Sequence, residues 1–349
     1  MLNHGKHRYA KAEPMSLFGF VIQTAITIAT CCMFSGLNAL LFFVGLMRKF
    51  YAGKVDYQCN SSKQVVVITG CDSGFGELSS RRLSEMGFRV ISGCISTEGA
   101  ERLKDSVALA LVCDVTSDKD IELLAQKTEE YLQENDCKLW GVVNNAGIGN
   151  GGLVDVLPME TMRKVMEVNF FGVVKVTKAM LPLLKKCKHS RIINISSIAG
   201  FLSAPCMSAY DASKHAVEGF AKALRVEMKS WNIHVSNINP GFCKTNIVMG
   251  GNNVAKAAWA KVPEELQKHY DFQELEPTDF DFILENPKIV VNAIVDALTD
   301  VSPPMWYFPG YQPAALRQLT SVCGDLFDLM GMQGVGPQPK ADVIKELQG

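Results

Sequence analysis

The chain has 349 residues, 48% of them apolar, and a formal net charge of −1. That length suffices for one large domain or two ordinary ones, and the balanced charge carries no bias towards nucleic acid or another polyanion. The 11 cysteines are an odd, scattered set without CxxC or a Cys/His cluster at zinc spacing, which argues against a disulfide framework or a bound metal and for reduced thiols.

From Met15 through Met47 no residue is charged, and Leu, Ile, Val, Phe and Ala dominate. A helix of about 20 such residues spans ~30 Å of hydrocarbon. Residues 1–60 are therefore expected to form a membrane anchor and linker, either crossing the bilayer with strong tilt or crossing and then lying in the interface. Gly36 and Asn38 leave a shallow hairpin open. Orientation stays open too, because Lys6, Arg8 and Lys11 before the run nearly balance Arg48, Lys49 and Lys54 after it. The run is longer than the ~7–15 residue apolar region of a signal peptide. Asn60-Ser61-Ser62 is a glycosylation sequon, meaningful only on a lumenal side.

From Ser61 to about Asp300 the pattern becomes short apolar runs alternating with helical periodicity. Strands are expected at Val65–Thr69, Arg89–Gly93, Ala108–Asp114, Leu139–Asn144, Arg191–Ser196, Ile233–Asn239 and Trp306–Phe308. Helices are expected at Gly76–Gly87, Ser117–Gln133, Glu160–Lys188 (broken or bent near Asn169 and Pro182), Ala209–Trp231 and Lys288–Leu298. Near-continuous Val/Ile strands between amphipathic helices predict an α/β fold, a single doubly wound parallel sheet of Rossmann type buried on both faces. No linker divides it, so residues 61–312 are read as one catalytic domain and 313–349 as a C-terminal extension that could touch the membrane surface or a partner.

The first strand runs into Gly70-Cys71-Asp72-Ser73-Gly74-Phe75-Gly76 and then a helix. Glycines in such a turn let backbone approach a pyrophosphate, and the helix N-terminus adds free N–H groups and a positive dipole end. Asp114 with Val115, Asn144-Asn145-Ala146-Gly147 and Asn239-Pro240-Gly241 end the third, fourth and sixth strands, the edge of such a sheet where ligands bind. Tyr210 and Lys214 are four residues apart, on one helical face, so an ammonium can lie beside the phenol, favour the phenolate and lower its pKa. Ser197, just beyond the fifth strand, can turn its hydroxyl to the same point.

In order and spacing, Gly70-x3-Gly74-x-Gly76, Asn144-Asn145-Ala146-Gly147, Asn169, Ser197, Tyr210-x3-Lys214 and Pro240-Gly241 closely resemble the short-chain dehydrogenase/reductase family over roughly Lys63 to Asp300. The resemblance implies hydride transfer between a nicotinamide cofactor and an alcohol or carbonyl. It makes Tyr210 the general acid/base and Lys214 the residue that lowers its pKa while holding the nicotinamide ribose. Ser197 orients the substrate oxygen, and Asn169, in a helix kink, supports a water-mediated proton relay. Gly70, Asp72, Ser73, Gly74, Phe75, Gly76, Asp114, Val115, Asn145, Ala146, Gly147, Pro240 and Gly241 complete the cofactor contacts, and Ser197 and Tyr210 hold the substrate.

Thr69 to Gly76, Leu139-Trp140-Gly141, Glu167 to Gly172 and Tyr307 to Tyr311 resemble the branch of retinol, hydroxysteroid and hydroxybutyrate dehydrogenases. That branch implies an endoplasmic reticulum membrane, with the mitochondrial inner membrane as the alternative, and a homodimer. The glycine turn and the end of the second strand hold Asp72, Cys94, Ile95 and Ser96 where a 2′-phosphate would want Arg or Lys, so NAD(H) is expected over NADP(H). No acidic residue follows the second strand either. A lid at 242–285 carries Met249, Trp259, Tyr270 and Phe272, and Phe201, Leu202 and Met207 separate the serine from the tyrosine. These apolar residues favour a retinoid or hydroxysteroid. A short hydroxy acid would need a cation such as Lys244, and a membrane-anchored cofactor-binding scaffold is the non-enzymatic alternative.

Overall fold

A computed structural model describes residues 61–149, 152–245, 259–260, 262–271, 284–322 and 338–340. The expected anchor at 1–60 lies outside these residues, as do Met249 and Phe272 of the lid. Among the described residues no helix is long and apolar enough to cross a membrane.

Seven parallel strands build the sheet: β1 (Gln64–Thr69), β2 (Arg89–Cys94), β3 (Leu109–Val112), β4 (Lys138–Asn144), β5 (Arg191–Ile195), β6 (His234–Ile238) and β8 (Trp306–Tyr307). Their order is β3-β2-β1-β4-β5-β6-β8. A small antiparallel ribbon pairs β7 (Tyr270–Asp271) with β9 (Gln338–Pro339). The helices of seven or more residues are α1 (Gly74–Glu85), α2 (Thr97–Leu103), α3 (Asp118–Glu134), α4 (Met159–Met166), α5 (Gly172–Leu184), α6 (Ser208–Glu227), α7 (Lys288–Thr299) and α8 (Tyr311–Val322), with a single short turn of helix at Glu264–Gln267.

Successive side chains on a strand point to opposite faces, so the Val-Val-Val-Ile run of β1 must be covered twice. Val66 and Ile68 pack with Leu83 of α1, Leu103 of α2 and Ile294 and Leu298 of α7. Val65 and Val67 pack on the other side with Ile121 and Leu124 of α3, Val176 and Met180 of α5 and Ala221 and Leu224 of α6. Each such buried side chain is worth roughly 1.5–3 kcal/mol over leaving it in water. The expected strands fall within two residues of the observed ones, as do most helix ends; the helix expected to reach Lys188 stops at Leu184, and the one expected to reach Trp231 finishes in a 3-10 turn, Met228–Trp231. Two helices were not anticipated in full. α2 is short and contains Gly99, and α8 starts at Tyr311, so it straddles the division expected at residue 312.

Strand order reverses at β1 and β4. Crossovers leave the sheet in opposite directions there, which opens a crevice at the carboxyl ends of these two strands. The expected helix from Glu160 to Lys188 breaks into α4 and α5 around a π-helical turn, Glu167–Phe171, in which the Gly172 amide reaches the Glu167 carbonyl five residues back. Pro182 lies inside α5, which does not end there.

Candidate active site

The glycine turn after β1 is locked by its own backbone. Gly70 and Gly74 have φ of +69° and +59°, values that penalise a Cβ. A side chain at Gly76 would stand 2.3 Å from the Gly70 carbonyl oxygen, so the first turn of α1 is laid directly on the loop. Asn145, just past β4, donates from Nδ2 to the carbonyls of Thr69 and Gly70 at 2.9 and 3.0 Å. The Thr69 hydroxyl accepts from the Asn145 and Ala146 amides. The turns after β1 and β4 are thus one unit.

Helix capping separates α1 from its neighbours. Ser96 accepts from the Gly99 amide to cap α2, and Ser117 caps α3 through the Asp120 amide. Ser73 at the head of α1 makes no such bond. The amides opening α1 lack the usual side-chain acceptor, and Gly70, Gly74 and Gly76 leave the nearby backbone bare at three positions, which suits a pyrophosphate. The residues present therefore fit a dinucleotide.

Four expected cofactor contacts have internal duties. The Asp72 carboxylate accepts from the amides of Ile95 and Ser96 at 2.7 and 3.0 Å and from the Ser96 hydroxyl at 2.6 Å. An acidic group therefore does stand at the end of β2, contrary to the sequence expectation, because sheet pairing brings the β1 turn there. Arg102 of α2 reaches the same corner and donates to the Asp72 carbonyl at 2.6 Å. Phe75 packs partly into the core. Asp114 folds onto the amide and hydroxyl of Thr116, both at 2.8 Å, and Val115 fills the space against Gly172.

Ser197, Tyr210 and Lys214 converge at the ends of β5 and β6. Ser197 follows β5 in extended backbone; its hydroxyl accepts from the Ala199 amide at 3.2 Å and stands close enough to the Tyr210 phenol to favour its charged form. Lys214 is 5% exposed and donates from Nζ to the Ile195 carbonyl at 2.8 Å, with Nζ 5.5 Å from the Tyr210 ring centroid. A side chain at Gly147 would come within 3.7 Å of that Nζ, so Lys214 faces the turn after β4. Buried Pro240 accepts from the Ile198 amide, and Gly241 lies against Gln312 and Pro313 of α8.

Asn169 is fully buried in the π-helical turn. Its Oδ1 accepts from the Ile148 amide at 2.8 Å, and its Nδ2 donates to the Ile148 carbonyl and the Ser213 hydroxyl, each at 3.0 Å. The side chain fastens the turn after β4 to α6.

Burial pushes the Tyr210 phenol up to about 12; Ser197 lowers it and the Asp211 charge raises it further. Burial also lowers Lys214, to about 8, with Glu218 opposing that fall. Desolvation disfavours the charged form of both groups.

On the outer side, Phe201 meets Phe308 edge to face at 5.8 Å and carries the Arg317 guanidinium of α8 at 5.3 Å. Leu202 is buried. The two ends of the expected lid are tied together by Lys244 N to Glu285 O and Glu285 N to Phe242 O. Farther along, the Tyr270 hydroxyl donates to Asp155 at 2.7 Å. Sequence reasoning missed Glu218 and gave Thr69 and Asn239 no role beyond their place in the strand-end motifs. Glu218 was findable, since Tyr210, Lys214 and Glu218 repeat every four residues along one face.

A family model described as short chain dehydrogenase matches residues 64–255. The chain belongs to the short-chain dehydrogenase family. This short-chain dehydrogenase is 35% identical to estradiol 17-beta-dehydrogenase 2 of Mus musculus over 304 residues, 81% of this chain and 78% of that protein. It is 33% identical to the mitochondrial D-beta-hydroxybutyrate dehydrogenase of Bos taurus over 285 residues, 76% of this chain and 82% of that protein. Among solved structures it matches a short-chain dehydrogenase from Streptomyces avermitilis with a TM-score of 0.60 and 27% identity, over 77% of this chain and 96% of the other. The short-chain dehydrogenase is therefore an NAD(P)-dependent oxidoreductase acting on CH–OH groups, within the hydroxysteroid and hydroxybutyrate dehydrogenase branch.

Proposed function

We propose that the chain is a membrane-associated, NAD(H)-dependent dehydrogenase that interconverts a lipophilic alcohol, a retinoid or hydroxysteroid, with its carbonyl. The observation that carries this reading is the meeting of Ser197, Tyr210 and Lys214 beside the turns after β1 and β4. A nicotinamide bound along those turns supplies the hydride acceptor or donor. Ser197 holds the substrate oxygen, and Tyr210 takes or gives the hydroxyl proton at its phenolic oxygen. The buried Lys214 ammonium offsets the developing phenolate charge, and Asn169 holds the Ile148 turn and α6 in register. Phe201 and the buried Leu202 place apolar surface beside Ser197, which limits water at the reacting oxygen.

NAD(H) is supported by the Asp72 carboxylate at the end of β2, a fixed anion that disfavours a 2′-phosphate nearby. Arg102 at the same corner favours the phosphorylated cofactor as a second reading. Equal kcat/KM with both cofactors overturns the NAD(H) assignment. The Met15–Met47 run supports a membrane setting, in the endoplasmic reticulum or the mitochondrial inner membrane.

The lipophilic substrate is supported by Phe201, Leu202 and Phe308 beside Ser197 and by the likeness to an estradiol dehydrogenase. A short hydroxy acid is the second substrate reading, favoured by exposed Lys244 and by the likeness to hydroxybutyrate dehydrogenase. Turnover is measured in detergent or phospholipid over retinols, hydroxysteroids and 3-hydroxybutyrate, with Tyr210→Phe as the blank. The reading expects the blank to lose roughly 100-fold or more of the rate; wild-type activity in the blank removes Tyr210 from the reaction.

A further inference from the structure

The peptide that joins Ser197 to Ile198 is gripped at both ends by the segment after β6. Its N–H, that of Ile198, donates to the Pro240 carbonyl at 2.9 Å. Its carbonyl, that of Ser197, accepts from Asn239 Nδ2 at 3.1 Å and from the Gly200 amide at 3.0 Å. The direction of the Ser197 side chain therefore depends on Asn239 keeping the NH₂ end of its amide towards that carbonyl.

Glu218 of α6 fixes the Asn239 amide. Asn239 is fully buried, and its Nδ2 makes a second bond, to Glu218 Oε1 at 2.7 Å. A reversed amide would set its own oxygen against two acceptors, the Ser197 carbonyl and the carboxylate. The other carboxylate oxygen, Oε2, accepts from Trp306 Nε1 of β8 at 2.8 Å. A side chain at Gly200 would stand 2.9 Å from Glu218 Cγ, so Glu218 is also packed against the turn that follows Ser197.

We propose that Glu218 is a positioning residue that, through Asn239, holds the Ser197 peptide in the orientation that presents the Ser197 hydroxyl to the substrate oxygen. The inference rests on the proposed role of Ser197. A carboxylate accepts at both oxygens, which is what the two donors facing it require. Trp306 Nε1 only donates, so in Glu218→Gln the new carbonyl turns to Trp306 and the new NH₂ to Asn239. Asn239 must then reverse to accept that NH₂, and the Ser197 carbonyl loses its donor.

The test is Glu218→Gln in the full chain in phospholipid, alone and combined with Trp306→Phe. Glu218→Gln is expected to lower kcat ~10-fold or more on the alcohol of the panel above that is turned over fastest. NADH affinity is expected to be retained, because the turns after β1 and β4 are untouched. In the double variant Trp306 no longer claims the new carbonyl, which turns to Asn239, and kcat is expected to recover to that of Trp306→Phe alone. Hydrogen exchange at the Ile198 and Gly200 amides is expected to quicken ~10-fold in Glu218→Gln and to slow again in the double variant. Wild-type kcat or unchanged exchange in Glu218→Gln, or a double variant no faster than Glu218→Gln, overturns the proposal. If Glu218→Gln does not fold, Asn239→Ala removes the donor outright and is expected to show the same loss of kcat and the same exchange; wild-type values of either overturn the proposal. A fully active Ser197→Ala defeats the use of Ser197 in catalysis, while the exchange still decides whether Glu218 holds its peptide.

Discussion

Asn145 holds Gly70 by its carbonyl, with Nδ2 at 3.0 Å from the Gly70 oxygen and 2.9 Å from that of Thr69. One amide thereby joins the turns after β1 and β4 across the crevice. Asn145→Ala leaves both carbonyls without this donor. It is expected to cost about 1–3 kcal/mol in urea unfolding and to weaken NADH binding, read by fluorescence, by ~10-fold or more.

Three glycines separate close approach from backbone strain. Gly76→Ala drives a methyl into the Gly70 carbonyl at 2.3 Å and is expected to abolish NADH binding. Gly74→Ala meets nothing nearer than Thr245 at 3.7 Å, so its penalty is the positive φ alone, about 1–2 kcal/mol. Gly219→Ala, in the exposed middle of α6 with nothing within 4 Å, is expected to stabilise by about 0.5–1 kcal/mol. Thermal unfolding and NADH titration of the three variants check the order.

Asp211 is 4% exposed and accepts from the Ala204 amide at 2.8 Å, pinning the loop before α6. Burial raises its carboxyl to about 6, against the lowering effects of the Ala204 bond and His215. The folded state therefore holds this proton more tightly than the unfolded chain. The resulting stability is complete below pH 3.8 and is lost as pH rises through about 6. Asp211→Asn keeps an acceptor for Ala204 and escapes that loss. It is expected to gain roughly 1 kcal/mol over the wild type at pH 7 relative to pH 4, and to lower the Tyr210 pKa by removing the charge beside it.

Burial raises the thiols of Cys71, Cys94, Cys113 and Cys243 to about 12 from 9.0. Unfolded thiols release their protons first as pH rises, so this contribution is whole below pH 9 and is lost between pH 9 and 12. Lys214 runs the other way between about 8 and 10.5, but it is one group against four. The urea midpoint is expected to fall steadily above pH 9, and Cys71→Ser is expected to shrink that fall.

The sheet was legible because buried parallel strands must be apolar on both faces, and the Val/Ile runs of β1, β4 and β5 say so directly. Gly70, Gly74 and Gly76 were legible as backbone requirements. The role of Asp72 was not, because its partners Ile95 and Ser96 become neighbours only when β2 pairs with β1. Asn239 and Trp306 meet Glu218 only through the β6–β8 pairing. Spacing reveals the ammonium near the Tyr210 phenol, whereas the depth of burial that raises the phenol is a property of the folded chain.

The π-helical turn at Glu167–Phe171 carries one residue more than an α-helical turn would. That surplus offsets the phase of α5 from α4 by about 100°. Deleting one residue there would let the two merge into a smoother helix, with easier backbone geometry and every neighbouring residue type intact. Asn169 would then face elsewhere and lose Ile148 and Ser213 together. At this point the chain is constrained by its count of residues as strictly as by their identity.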